Sequence, residues 1–221
     1  MGPVNVRRLA GCGILLGAWL SATGALGTCD FFRPAVPESP TRKPLIPNYS
    51  TPDSTLRWLA KGIEDKSGSN GQDVYMGAFA ESTLANPGDR RAFYALFDVR
   101  DLLDQPNWDP NRIWNKDLER VMYSDLVRKF ANPYVMTWEL YAPPGNESGG
   151  TDDSLLHRKY RIMQVTAGGD SSPVAIGAAD LHFVRSRDAA NRWVIALWED
   201  FHTRDPDSDQ ITLGKRRLET Q

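Results

Sequence analysis

Cysteine is almost absent from this chain of 221 residues. Its two cysteines, Cys12 and Cys29, both lie near the N-terminus. A disulfide framework and a thiolate metal site are therefore excluded from the rest of the chain. An excess of basic charge is lacking as well, since the formal net charge is −2, and we expect no nucleic-acid partner.

Common catalytic motifs are missing too. The sequence contains no glycine-rich phosphate loop, no His-Glu-x-x-His zinc motif and no Gly-x-Ser-x-Gly nucleophile elbow. We therefore predict no catalytic residue, no metal site and no cofactor. What the chain does contain is a large aromatic complement, including seven tryptophans, which predicts a substantial core.

The N-terminal residues have the pattern of an export signal. Two arginines precede an apolar run from Leu9 through Leu26, which is short and glycine-rich for a membrane span. The four residues that end at Cys29 resemble a bacterial lipobox, so we predict a signal peptide over residues 1–28 and lipidation of Cys29. Leu9–Cys12 matches the lipobox better letter by letter, but it comes before the apolar stretch, where the peptidase has no membrane-inserted segment to recognise. Thr28 departs from the usual small residue before the cysteine, and cleavage after Gly27, which would release a soluble secreted protein, is the alternative.

Proline dominates the next segment, residues 29–52. Prolines at this density cannot enter a sheet or a helix interior, so the segment is predicted to be an extended tether at about 3.1 Å per residue. The alternative is an unstructured arm that lies on the domain. Together with Cys29, the tether predicts an exported protein of the bacterial cell envelope, anchored by its lipid to the inner or the outer membrane.

Residues 53–203 are predicted to form one α+β domain. Apolar residues spaced as on one helix face, together with Pro and Gly punctuation, predict three helices and a short strand. The first helix is predicted to start at Thr51–Asp53, the second to run from about Gln72 to Glu81, and the third from Asp109–Pro110 to about Phe130, with the strand at Ala92–Phe97. The charged side chains of the third helix, Glu119 and Lys116 among them, are assigned to its solvated face. Residues 204–221 are predicted to be a polar tail, of which Ile211–Gly214 could lie against the sheet. Four strands without an intervening helix follow the third helix, at Tyr134–Tyr141, Leu155–Thr166, Val174–Arg185 and Trp193–Phe201.

The stretch Arg192–Asp200 is rich in β-branched and aromatic residues, with no Gly or Pro, and predicts a central strand buried on both sides. With this order of elements the chain resembles the nuclear transport factor 2-like fold and, within it, bacterial envelope lipoproteins of unknown function. The resemblance implies a cone in which three N-terminal helices pack on a curved, mostly antiparallel sheet around an apolar pocket. The residues that carry it are Cys29 with Phe32–Arg33–Pro34, Thr51–Leu56, Val74–Met76 with Phe79, Trp114 with Glu119, and Trp193, Ile195 and Trp198–Asp200.

Strand alternation predicts which side chains face the helices. If the more apolar set of each strand points inward, the inner surface carries no carboxylate and no histidine, and a β-bulge is the feature that would turn Trp198 and Asp200 inward instead. The outer face then holds His157, Asp180, His182 and Asp200 as cross-strand polar pairs. The predicted pocket lining, which could equally be a filled core, is Tyr75, Trp138, Tyr160, Phe183, Trp193 and Ile195.

Three functions follow from this pattern. The first is a non-catalytic envelope lipoprotein that binds an unknown apolar ligand or a partner. The second is an isomerase, dehydratase or cyclase that uses an inward acid, Asp98 or Asp200, because such chemistry needs a general base with a shifted pKa. The third is a scaffold that forms a homodimer through the outer face of the sheet.

Overall fold

A computed structural model describes residues 45–65, 69–81, 92–109, 111–129, 133–141, 147–186, 190–203 and 210–220. The signal peptide, Cys29 and most of the tether lie outside these ranges. Within them, no helix is both long enough and apolar enough to cross a bilayer.

The first helix begins where the sequence predicts it. Thr51 is the N-cap, and its side chain and that of Ser54 each accept a hydrogen bond from the other residue's backbone amide. Leu56, Leu59 and Ile63 form the buried stripe of this helix. The helices of the described chain are α1 (Pro52–Glu64), α2 (Ser69–Gly77), α3 (Val99–Leu103), α4 (Lys116–Lys129) and α5 (Leu213–Leu218).

Seven strands within the described residues form one sheet, in the order β2-β1-β7-β6-β5-β3, with β4 paired to β5. Only the β1–β7 pairing among them is parallel. The predicted α+β class with a mostly antiparallel sheet is therefore confirmed. The strands are β1 (Tyr94–Leu96), β2 (Trp114–Asn115), β3 (Tyr134–Leu140), β4 (Ser148–Gly149), β5 (Asp153–Val165), β6 (Ser171–Arg185) and β7 (Trp193–Phe201).

Strand β7 lies between β1 and β6, as predicted for a central strand, and its first four residues are all buried. Its pairing with β6 contains a bulge. Trp198 lies opposite Leu181 and Ile195 lies opposite Phe183, which leaves one extra residue on β7, Ala196, without a partner. The bulge reverses the alternation of β7, so Ile195 and Trp198, three positions apart, are both fully buried.

The third predicted helix begins later than expected. Trp114 belongs to β2, and the Asn115 side chain accepts hydrogen bonds from the amides of Asp117 and Leu118, each at 3.1 Å. An asparagine in this capping role satisfies amides that have no partner within the helix, so α4 starts at Lys116.

The folded unit extends past both predicted domain boundaries. Tyr49, inside the predicted tether, is buried, and its hydroxyl donates to the Val74 carbonyl at 2.7 Å. At the other end, α5 forms within the predicted polar tail and buries Leu213 and Arg217 completely. The tail prediction was wrong for this segment. Its many charged residues suggested a solvated tail, but the charge of Arg217 is paired with Glu119 inside the fold.

Candidate functional site

Four charged side chains lie together inside the domain, each no more than 1% exposed. We call this set, Asp101, Glu119, Asp200 and Arg217, the interior charged cluster. Its members come from α3, α4, β7 and α5 respectively. Buried charges are costly unless they are paired and hydrogen-bonded, so the partners of each member determine what the cluster can do.

Arg217 and Glu119 form a two-pronged ion pair. Arg217 Nε donates to Glu119 Oε2 at 2.8 Å, and Nη2 donates to Oε1 at 2.9 Å. Tyr75 Oη and Trp114 Nε1 also donate to the Glu119 carboxylate, at 2.6 and 2.7 Å. Burial alone would lower the pKa of Arg217, but the adjacent Glu119 carboxylate outweighs burial and raises it. Arg217 therefore stays protonated across the ordinary pH range.

Asp200 is held by a tyrosine and by the start of α5. Tyr160 Oη donates to Asp200 Oδ1 at 2.6 Å, and the Gly214 amide donates to Oδ2. Burial raises the pKa of Asp200 to about 6, although the charge of Arg217 and the two hydrogen bonds oppose the shift. A Cβ at position 214 would meet Asp200 Oδ2 at 2.8 Å, so glycine allows α5 to approach the carboxylate this closely.

Asp101 fixes the segment that leads into α5. Thr212 Oγ1 donates to Asp101 Oδ2 at 2.5 Å, and the ring of His202 contacts Oδ1 at 2.8 Å. Thr212 is also the N-cap of α5, where its side chain accepts from the Lys215 amide. All three acids of the cluster therefore contact α5 or the residue that caps it.

Asp200 was placed on the outer face by the alternation argument, and that prediction was wrong. The bulge at Ala196 turns Trp198 and Asp200 toward the helices, so the inner surface does contain a carboxylate. The other outer-face residues follow the prediction. His157 Nδ1 contacts Asp180 Oδ1 at 2.5 Å in a cross-strand pair, and His182 is exposed.

Asp98, the other candidate acid, occupies a different environment. It caps α3 and accepts from the amides of Arg100 and His202 at 2.9 and 3.0 Å. Burial alone would raise the pKa of Asp98, but the hydrogen bonds from Arg100 and His202 lower it to about 2. A carboxylate this acidic is a weak general base near neutral pH.

The six predicted pocket-lining residues lie in the interior. Five of them are at most 5% exposed, and Trp138 is half-buried with its Nε1 donating to the Leu56 carbonyl at 3.2 Å. The rings of Trp138, Tyr160 and Trp198 pack together with centroids 5.7 to 6.0 Å apart. The five buried residues are Tyr75, Tyr160, Phe183, Trp193 and Ile195.

A cavity of about 420 Å³ opens beside the bulge of β7, on the sheet face that carries His182. We call it the outer groove. Its polar rim contains Ser148, Asp153 and Ser154. Its other lining residues are Tyr94, Leu155, His182, Phe183, Val184, Ala196 and Leu197. The volume suits a small ligand. The bulge of β7 forms part of the wall of the outer groove and also turns Asp200 inward.

Sequence reasoning missed the two residues that form the buried ion pair. Glu119 and Lys116 were both assigned to the solvated face of their helix, yet both are buried. Lys116 Nζ donates a hydrogen bond to the Phe79 carbonyl at 3.1 Å. Spacing held a signal for Glu119, since it is three and seven residues before the buried Met122 and Leu126 and so shares their helix face. Arg217 gave no comparable signal, because its partner is 98 residues away.

Comparisons with known proteins give only distant likeness. Neither a family model nor a curated protein matches this sequence. A solved protein of unknown function from Mycobacterium tuberculosis is similar at 13% identity and a TM-score of 0.47, over 75% of this chain and 88% of that one. A nuclear transport factor 2-like protein with a cystatin-like fold from Novosphingobium aromaticivorans is similar at 7% identity and a TM-score of 0.45, over 71% and 81%.

A candidate dehydratase of the nuclear transport factor 2-like family from Streptomyces avermitilis is similar at 12% identity and a TM-score of 0.43. That alignment covers 70% of this chain and 99% of the other. At these identities and TM-scores, the likeness carries no information about what this chain binds or catalyses.

Proposed function

We propose that this protein is a lipoprotein of the bacterial cell envelope whose domain binds a small apolar molecule without catalysis. Cys29 carries the lipid, and the proline-rich segment holds the domain away from the membrane. The outer groove receives the ligand. Phe183, one of the six residues predicted as pocket lining, lies in its wall, and the other five pack in the interior.

The closed state of the interior charged cluster is the observation that supports a non-catalytic role. A general base must come within hydrogen-bond reach of a substrate proton. Asp200 is 1% exposed, and both of its oxygens are already hydrogen-bonded, by Tyr160 and by the amide of Gly214. The chain's own α5 thus stands where a substrate would have to approach.

The outer groove offers suitable chemistry for an apolar ligand. Phe183, Val184 and Leu197 supply apolar lining, and Ser148 and Asp153 provide polar groups that can orient a ligand.

Titration with 1-aminoanthracene, a neutral aromatic fluorophore, tests the groove. We expect saturable binding to the unlipidated protein and at least tenfold weaker binding to Leu197→Arg, whose side chain would fill the groove. Leu140→Arg is the matched control, because Leu140 is 59% exposed on β3 and does not line the groove. Equal affinities of all three proteins would contradict this location.

An isomerase-type enzyme is the second candidate, favoured by the raised pKa of Asp200 and its contact with Tyr160. Cyclohex-3-enone, whose isomerisation needs proton transfer next to a carbonyl, separates the two candidates. Our proposal predicts no acceleration and no difference between wild type and Asp200→Asn. A rate that rises through pH 6 and is lost in Asp200→Asn would establish the enzyme instead.

A homodimeric scaffold is the third candidate, and its interface would be the outer face of the sheet. That face presents charged side chains on β3 and β5, such as Glu139 and Arg161, both exposed. Sedimentation equilibrium of the Cys29→Ser protein tests it. A monomer at high concentration excludes the scaffold, whereas a stable dimer would replace the binding module as the preferred function.

A further inference from the structure

The Glu119 carboxylate is positioned by residues that do not belong to α5. Tyr75 donates to one of its oxygens and Trp114 to the other, from α2 and β2. One donor on each oxygen leaves one acceptor position on each, and the two remaining positions form a fork. Such a fork accepts the parallel N–H groups of a guanidinium ion.

Arg217 occupies this fork in the way an arginine ligand occupies a receptor. Its Nε and Nη2 donate to the two carboxylate oxygens at 2.8 and 2.9 Å. Its Cζ lies 4.6 Å from the centre of the Trp198 ring, so the cation also stacks on an aromatic face. A carboxylate fork beside an aromatic face recognises planar guanidinium better than it recognises a compact ammonium ion.

The fit of Arg217 leaves hydrogen-bonding capacity unused. Among the described residues, Arg217 Nη1 and Trp198 Nε1 are buried and have no hydrogen-bond partner. Unpaired buried donors cost free energy, so an ion pair that served stability alone would not be expected to leave two of them. A ligand that brings an acceptor, such as the carbonyl beside a peptide arginine, would satisfy one.

Helix α5 is stable only while it packs against the rest of the domain. It has six residues, and isolated helices this short are unstable in water. Its buried apolar residues are Leu213 and Leu218. Besides its contacts with the interior charged cluster, the Leu213 amide donates to Tyr160 Oη at 2.7 Å and Arg216 Nε donates to the Val174 carbonyl at 2.9 Å. Loss of the Arg217–Glu119 contact therefore weakens the whole segment.

We propose that Glu119, Tyr75, Trp114 and Trp198 form a guanidinium-binding site that is filled in this state by the chain's own Arg217. A guanidinium group from another molecule, either a small guanidino compound or an arginine of a peptide, takes the place of Arg217, and α5 then leaves its position. This site is separate from the outer groove, so the inference does not depend on ligand binding in that groove.

Replacement of the missing side-chain atoms tests the site in the full chain. Arg217→Ala removes the atoms that N-ethylguanidinium would restore. We expect this ion to raise the midpoint of thermal unfolding of Arg217→Ala by several degrees, with saturation. Neutral N-ethylurea and non-planar ethylammonium should have no such effect, and neither should N-ethylguanidinium on Arg217→Met, whose side chain fills the space. Equal effects of all three compounds would overturn the proposal.

If Arg217→Ala does not fold alone, its refolding yield replaces the unfolding midpoint. A higher yield with N-ethylguanidinium than with N-ethylurea supports the site, and equal yields overturn it. The peptide Gly-Arg-Gly, tested against Gly-Lys-Gly, shows whether a peptide arginine is also accepted. Equal effects of the two peptides would overturn the part of the proposal that concerns a peptide arginine.

Exchange in the wild-type protein is tested by amide hydrogen exchange. N-ethylguanidinium should accelerate exchange of the Gly214 amide, which donates to Asp200, and should leave the amide of Ile162 in β5 unchanged. Ethylammonium at the same concentration is the control. Equal acceleration at both amides would indicate general unfolding, and no acceleration at Gly214 would show that Arg217 is not displaced; either result overturns the exchange.

Discussion

At the scale of single residues, the interior charged cluster combines two different electrostatic situations. Glu119 faces a cation that contacts both of its oxygens, whereas Asp200 is held by a hydroxyl and a backbone amide. Neutral donors compensate the burial of a charge less than a direct cation does. The pKa of Asp200 is therefore raised to about 6, with burial as the main cause.

Asp200 should make stability depend on pH with a defined sign. Its folded-state pKa of about 6 exceeds the ordinary value of 3.8, so the folded protein binds this proton more tightly than the unfolded chain does. The contribution of Asp200 to stability should therefore increase as pH falls from 7.5 to 4.5, by about 2 kcal/mol. Urea unfolding of wild type and Asp200→Asn at both pH values measures it, and a pH-independent difference between them would contradict it.

Glu119→Gln should be strongly destabilising. The substitution leaves the Arg217 cation buried without its counter-charge, for which we expect a loss of about 3–5 kcal/mol in the free energy of unfolding. Asp117→Asn on the same helix is the control. Asp117 pairs with Arg120 at the surface, where both side chains are largely exposed, and should lose less than about 1 kcal/mol. Similar losses in the two variants would refute the ranking.

At the scale of elements, the bulge of β7 decides which side chains reach the interior. Before it, Trp193 and Ile195 face the helices, and after it, Trp198 and Asp200 do. The same extra residue lies in the wall of the outer groove. A strand with regular alternation would give this sheet neither the inward carboxylate nor the same groove.

Deletion of Ala196 should keep the native packing of the interior. The deletion removes the unpaired residue, so Ile195 stays opposite Phe183 and Trp198 stays opposite Leu181, with both side chains on the inner face. We expect the near-ultraviolet circular dichroism signal and cooperative unfolding to be retained, whereas binding of 1-aminoanthracene should weaken because Ala196 lines the outer groove. Ala196→Gly keeps the strand length and is the control. Loss of the aromatic signal in the deletion variant alone would show that the inward position of Trp198 depends on the bulge itself.

At the scale of the whole molecule, we propose that the folded domain is attached to a membrane through the proline-rich segment, most of which lies outside the described residues. The domain itself begins before α1, since Tyr49 is buried and its carbonyl accepts from the amide of Trp193 at 2.9 Å. Under the proposal, the extended tether ends before Tyr49, so its reach is slightly shorter than residues 29–52 would give.

Metabolic labelling with a fatty acid tests the anchor. We expect label on the wild-type protein and on Cys12→Ser, and no label on Cys29→Ser, because only Cys29 follows the apolar stretch that a signal peptidase would recognise. Label that persists in Cys29→Ser would refute the assignment of this residue, and an unlabelled wild-type protein would favour the secreted form.

The sequence by itself determined the order of the main elements, α1, α2, β1, α4, β3, β5, β6 and β7, together with the α+β class and the central position of β7. Those features depend on neighbours along the chain, such as the capping box of Thr51 and the dense apolar character of Trp193–Phe201. Only the tertiary structure decided the inward position of Asp200 and the burial of Glu119 and Arg217. The physical reason is that a bulge depends on strand pairing, and that Arg217 can be buried only where a carboxylate 98 residues away meets it.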